Sequence, residues 1–581
     1  MTKRTSDIFQ KSTELKLDQL SFCPTTAKGL QEWLNSVSIL QLGTSSKSLF
    51  NALLEISELK CQEMLRFDLV QILHPTLENV LTSLEKHFAN HSLITTDRND
   101  QIIELAMLLR SHFAKIYIDI AMRCNTQLNQ QKFSIFSFGH KKSLQTARTA
   151  SIFYALQQLA MLLYQQQMLY TTPIPGQWHA THQLVEYAIQ NNFDQTNINQ
   201  LLGTQHEITT IAQVYSQLIL LDIFNTNQIR PAEIQGLYLC SYDWAKLIQI
   251  LPKETTLSRY VVDSNKDHPP VFNSHQASHY TPDIFISTQN LLDHLTETQT
   301  KSGQYLSKNE KLFLTPALHF HIHNLLMNNV ERKHERYDYS AEINICFGLS
   351  VAHFYLSKGK TLQETLELES NYNLQNESSF INSMDTNIQT SVSNAKALDR
   401  EAKQIHSAEV LDISVNGYRI KWTGATPANL KTGEFILVQE NAQSQWRGGV
   451  IRWIKQSAEK SLELGLEILT QDMYPCSGHI RTDRNTHNYQ PALLVQTAQL
   501  DQTSTTLILP GSNLFREKQT IHLRLGKEEL KVYLTKAQLI TQSFIRFEYE
   551  LLNDQQENLV TEFINKQVND TKNHDLWEAL K

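Results

Sequence analysis

No two of the six cysteines (Cys23, Cys61, Cys124, Cys240, Cys346 and Cys476) stand at CxxC spacing; they are scattered through 581 residues. That scatter gives no zinc knuckle and no disulfide framework, and it suits free thiols in a reducing compartment. No run approaches the roughly 18 apolar residues that a bilayer span requires. The opening MTKRTSDIFQKSTELKL lacks the apolar core of a signal peptide. A cytoplasmic location without a membrane span is therefore expected. Walker, GxGxxG, GxSxG and HExxH signatures are all missing, so an enzyme is not expected. Positive charge is also in deficit, with 52 Lys and Arg against 59 Asp and Glu, a net charge of −7. Nucleic-acid polymers are held largely by a basic field, and none is expected as a partner. Any anion recognised here has to be met by a local cluster of cations.

What is present falls into two textures. The length calls for several domains. Residues 26 to about 250 read as successive amphipathic helices. Leu30, Trp33, Leu34 and Val37 share one helical face, and Ile102, Leu105, Leu109, Phe113, Ile116 and Ile120 form a longer stripe. The runs 151–170 and 211–224 repeat the pattern, with breakers such as TTPIPGQ between them. No 34- or 40-residue repeat emerges. Trp178, His182 and Tyr187 stand at near-helical spacing and read as packing residues. From 258 the strand-like RYVVD and DIFIS suggest a small mixed module, followed by a helical stretch at 309–331. The histidines of HFHIH (His319, His321 and His323) accompany a helical stripe of Leu318, Ile322 and Leu325, with no carboxylate to complete a metal set; no metal ligand or cofactor is expected.

Beyond 330 the chain turns to short strands separated by Gly, Asn and polar residues. AEINICFGLSVAHFYL, SAEVLDIS, GYRIKW, EFILVQ, GGVIRWI and LELGLEIL suggest an antiparallel barrel. Residues 358–405 are rich in Ser, Asn, Gln and Thr, a composition that buries too little surface to offset its ordering entropy, and they read as a flexible insertion. A further β-rich block at 491–552 suggests a second sheet or barrel. The expected fold is multidomain: a mostly α N-terminal helical array or bundle (1–257), a mixed linking module (258–329), a β-barrel (330–480) and a small C-terminal β domain (481–581).

Two short elements carry chemistry. Arg332 and Arg336 form an RxxxR immediately before the first barrel strand. Asp412, Ser414 and Gly417 form a DxSxxG at a strand end. In that order, with strands behind each and an RW-containing strand after, they resemble the PilZ domain, the bacterial receptor module for cyclic di-GMP. The resemblance spans roughly 330–472 and implies an antiparallel barrel that binds this ligand. It implies that Arg332 and Arg336 clasp the ligand while Asp412 and Ser414 read it from the barrel wall. The residue types suit that task. Guanidinium forks bond phosphate oxygens or guanine O6 and N7, and a carboxylate accepts from the guanine N1–H and N2–H edge. Gly417 permits a positive φ or a close backbone approach. Trp422, Trp446 and Trp453 read mainly as packing residues, and Arg419 and Arg452 as ordinary surface cations. The resulting expectation is a cyclic di-GMP receptor whose helical region contacts an unidentified protein partner. The alternative is a ligand-free scaffold in motility, pilus or envelope assembly.

Overall fold

The computed structural model describes residues 8–37, 41–87, 93, 97–130, 138–275, 279–300, 305–327, 336–366, 403–414, 416–441, 444–457, 461–480, 489–499, 502–512, 514–553 and 556–578. Two compact units divide the chain. One comprises Met1–Thr226 and Pro231–Asn329, the other Asn227–Arg230 and Val330–Lys581.

Among the described residues the first unit opens with nine helices: α1 (Ala27–Ser36), α2 (Leu42–Glu58), α3 (Glu63–Glu85), α4 (Asp97–Gln130), α5 (Phe138–Met168), α6 (Gln177–Gln190), α7 (Ile198–Leu202), α8 (Ile211–Ile223) and α9 (Pro231–Trp244). In the α4 stripe Leu109, Phe113, Ile116 and Ile120 are buried, as the periodicity requires. Arg110, on the same helix, is also buried, which is tolerable only because it is paired. It reaches Gln158 on α5 at 2.7 Å, and Glu78 and Glu85 on α3 at 3.3 and 3.0 Å. Burial alone would raise the Glu78 carboxyl, but Arg110 and Gln158 outweigh it and hold the group below its ordinary value.

Trp178 and His182 are packing residues, with rings stacked at 5.3 Å. His182 Nε2–H donates to the His268 carbonyl and Nδ1 accepts from the Tyr215 hydroxyl, each at 2.8 Å. That arrangement fixes a neutral tautomer.

Four short strands follow: β1 (Gln249–Leu251), β2 (Tyr260–Val262), β3 (Val271–Phe272) and β4 (Ile284–Ser287). They make a sheet in the order β1-β4-β2-β3. Then come α10 (Gln289–Thr300), α11 (Lys308–Phe313) and α12 (Pro316–Met327). The α12 histidines hold structure. His321 donates to the Phe224 carbonyl at 2.7 Å and His319 to that of Leu295 at 3.3 Å.

The second unit contains two closed six-stranded barrels. The first uses β5 (Tyr337–Phe347), β6 (His406–Ser414), β7 (Gly417–Trp422), β8 (Phe435–Gln439), β9 (Arg447–Gln456) and β10 (Leu462–Thr470), in the order β10-β7-β6-β5-β8-β9. The second uses β11 (Met473–His479), β12 (Gln490–Gln499), β13 (Gln502–Pro510), β14 (Gln519–Leu525), β15 (Glu528–Ile540) and β16 (Phe544–Leu551), in the order β11-β12-β13-β16-β15-β14. Strand β11 therefore opens the second barrel ahead of the boundary read at 480. Phe435 and Leu437 of the first barrel pack with Met473, Leu493, Ile508 and Phe544 of the second in one apolar cluster.

Two features of this unit correct the sequence reading. The run AEINICFGLSVAHFYL is not one strand. It ends at Phe347, Gly348 takes φ +101°, and α13 (Leu349–Leu356) follows. A continuous apolar run does not separate strand from helix by periodicity, and here the left-handed glycine makes the break. The start of the expected flexible insertion is helical: α14 (Leu362–Thr365) is opened by a capping box between Thr361 and Glu364. Residues 367–402, the bulk of that segment, lie outside the described residues. A closing helix, α15 (Glu557–Glu578), was not anticipated from the sequence.

Candidate functional site

The site begins with a register defect. On β6, Ala408 and Val410 point into the first barrel and are buried. Strict alternation would send Asp412 inward as well. The pairing with β7 slips by one residue between Val410 and Asp412, so Leu411 is the extra residue of a β-bulge. Parity is reversed from there, and Asp412 emerges on the outer wall. Opposite residues of an antiparallel pair share a face. The matched positions Asp338, Asp412, Arg419, Gly465 and Trp453 therefore form one row across β5, β6, β7, β10 and β9.

Asp412 is 7% exposed, and both of its oxygens are engaged. Arg336 Nη1 donates to Oδ1 at 3.0 Å, across 76 positions of chain. Arg419 Nη1 donates to Oδ2 at 3.1 Å, while Arg419 Nε reaches Glu463 at 3.1 Å. Burial would lower the Arg419 pKa, but Glu463 and Asp412 outweigh it, so this cation is held firmly charged. The Arg336 and Arg419 side chains are 33% and 37% exposed, so both are partly open to solvent. Two forked donors are thus aimed by one carboxylate at the edge of the barrel wall.

Ser414 Oγ donates to the Gly417 carbonyl at 3.3 Å, tying the end of β6 to the start of β7. Gly417 is needed for close approach and not for a positive φ. A Cβ there would lie 2.0 Å from the Leu466 carbonyl oxygen. Gly465 has a comparable role, because a Cβ would fall 2.0 Å from Trp453 Nε1. The Trp453 indole thus lies over a bare strand, half-buried, at the end of the row. Trp422 faces inward against Phe347 and His406.

Of the five residues singled out in the sequence, Arg336, Asp412, Ser414 and Gly417 meet on this face. Arg332 lies outside the described residues. Arg419 was read as an ordinary surface cation and is instead the second partner of Asp412. Its signal was available: with Ser414 opposite Gly417, counting back sets Asp412 opposite Arg419. Arg452 fits the ordinary reading and pairs with Glu467.

A closed barrel whose outer wall carries the DxSxxG aspartate, met by an arginine from just before the first strand, defines a PilZ-type domain. Here it stands between a helical unit and a second barrel, and known proteins share that order. A model described as "Cyclic-di-GMP receptor FimW, N-terminal domain" matches residues 28–254. "Cyclic-di-GMP receptor FimW, middle PilZ domain" matches 259–397 and 377–475, and "FimW C-terminal beta-barrel domain" matches 477–552. Among curated proteins, the cyclic-di-GMP receptor FimW of Pseudomonas aeruginosa is 23% identical, with 97% of each chain covered. No solved structure matches. The chain belongs to the PilZ-domain cyclic di-GMP receptor family. The matched descriptions are those of a receptor, a binding protein.

Proposed function

We propose that this chain is itself a cytoplasmic cyclic di-GMP receptor and that the row from Arg336 to Trp453 is its binding face. The observation that carries the reading is the pair of guanidiniums gathered on Asp412 from distant parts of the chain. The ligand has two phosphates and two guanines. Arg336 and Arg419, joined by Arg332, supply forked donors to phosphate oxygens or guanine edges. Asp412 acts first as the anchor that aims these arginines, since both of its oxygens already accept from them. Ser414 and Gly417 shape the wall, and Trp453 offers a flat apolar surface.

The segment bearing Arg332 directly follows α12 in sequence. A ligand that binds one arrangement of this segment more tightly shifts its population, and in this reading the helical unit passes the change to an unidentified protein partner. Calorimetric titration of the full chain with cyclic di-GMP tests the proposal. Arg419→Ala is expected to weaken binding about tenfold, the effect of one charge-assisted hydrogen-bonding group, and to reduce its salt sensitivity. Arg419→Lys is expected to recover the salt sensitivity but not the full affinity, because the fork is lost. No heat of binding with the unaltered chain overturns the receptor reading. Unchanged affinity in an Arg332→Ala, Arg336→Ala double variant overturns the site.

A further inference from the structure

The outer wall of the second barrel gathers a different set of groups. His479 on β11 lies directly opposite His522 on β14, and their rings stack with centroids 4.9 Å apart. Glu529 on β15 reaches both. Its Oε1 is 2.9 Å from His522 Nδ1 and its Oε2 is 3.5 Å from His479 Nε2. One donor atom from each residue lies within 4.8 Å of the others.

The histidines do not belong to the barrel interior, which is filled from β14 by Ile521, Leu523 and Leu525. They are nevertheless well covered, with His479 1% exposed and His522 9%. Tyr489 provides part of the cover, its ring 4.7 Å from His479 and its hydroxyl donating to Glu529 at 3.1 Å. Leu362 and Leu366 at α14 pack on Tyr489, and Arg524 Nη2 donates to the Leu366 carbonyl at 3.1 Å. The Glu529 side chain is one-third exposed and leaves a way in from solvent.

We propose that His479, His522 and Glu529 form a binding site for a divalent metal ion of the zinc class. Two imidazole nitrogens and one carboxylate oxygen are the donor set of a borderline d-block ion. Calcium or magnesium would call for a shell built mainly of oxygen. Three protein ligands leave a fourth position for water. Two ligands come from the β14–β15 hairpin and the third from β11, which meets it through barrel pairing, so the ion staples β11, β14 and β15. Its position beside Tyr489 and Arg524 also places it next to the anchorage of α14.

The test uses the full chain, stripped with a chelator and titrated with Co²⁺ and then with Zn²⁺. The expected result is one Co²⁺ per chain with the visible ligand-field bands of a four- or five-coordinate site, bleached by Zn²⁺ at one equivalent. Zn²⁺ should also raise the melting temperature. His522→Gln and Glu529→Gln are each expected to lose the bands and the thermal shift while keeping the far-ultraviolet circular dichroism of the parent. Absence of a stoichiometric cobalt spectrum from the unaltered folded chain overturns the proposal, whether or not a variant folds. So does a thiolate-to-cobalt charge-transfer band, since no cysteine belongs to the set, or a spectrum preserved in both variants.

Discussion

Asp412→Ala is expected to weaken cyclic di-GMP binding about 100-fold, close to 2.7 kcal/mol, and to destabilise the first barrel by only about 1–2 kcal/mol. The two effects differ because the carboxylate and its partners are in different surroundings. Asp412 is 7% exposed, and its removal leaves two guanidiniums without their shared acceptor. Breaking a fully buried pair costs more, but about a third of each arginine side chain reaches water, which screens much of the loss. Affinity is more exposed to the change, because Arg336 and Arg419 both lose the group that aims them, and each hydrogen bond to a charged group contributes about 1.5–3 kcal/mol. Asp412→Asn separates the terms. It keeps the volume and one acceptor, so stability is expected near the parent's while binding stays about tenfold weaker, a charge-assisted bond having been replaced by a neutral one. Calorimetry for affinity and urea denaturation for stability check both. An Asp412→Ala chain that binds as tightly as the parent removes the anchoring role.

Acid is expected to weaken the helical unit severely. His74, His112 and His182 are each held down to about 4, mainly by burial. Glu78 opposes this at His74, while Arg110 and His206 reinforce it; Lys115 reinforces it at His112. At His182 the His268 carbonyl and Asp267 oppose it, and His179 and His268 reinforce it. The unfolded imidazoles take up protons near the ordinary 6.5, so between about pH 6.5 and 4 the unfolded chain binds more protons than the folded one. Stability is therefore complete above that window and falls as the pH drops through it. At pH 5 each imidazole costs about 2 kcal/mol by this linkage. Asp222, pushed up to about 7 by burial, acts in the opposite sense, because its folded form takes up a proton first. It offsets about 2 kcal/mol at the same pH, leaving a net loss of several kcal/mol. Urea titrations followed by circular dichroism at pH 7.5 and pH 5 measure it. A midpoint that does not fall at pH 5 would show that these imidazoles are not held neutral.

The helical unit was legible because its apolar positions recur at helical spacing over many turns, and burial alone then selects the inner face. The barrel strands were legible by alternation and by the polar breaks between them. The helix at 349–356 was not, because Leu349–Leu356 is apolar enough to serve in either form and only the left-handed Gly348 decides. Within the site, the meeting of Arg336 with Asp412 followed from motif order. The bulge at Leu411 that brings Asp412 outward did not, since alternation alone predicts the opposite face. Arg419 was within reach through hairpin register, and it was missed because an arginine among strand residues was read by composition. The His479, His522 and Glu529 cluster is the extreme case. Fifty residues separate its outer members, and they meet only through closure of a barrel, so no local spacing marks them.

Hydrogen–deuterium exchange of the full chain, with and without saturating cyclic di-GMP, tests the location of the binding face most directly. Slowed exchange is expected in peptides covering 336–341, 410–422, 450–455 and 462–467, the strands that carry the Arg336-to-Trp453 row. Protection confined to the second barrel or the helical unit, or none at saturation, would contradict the assignment of this wall as the receptor surface.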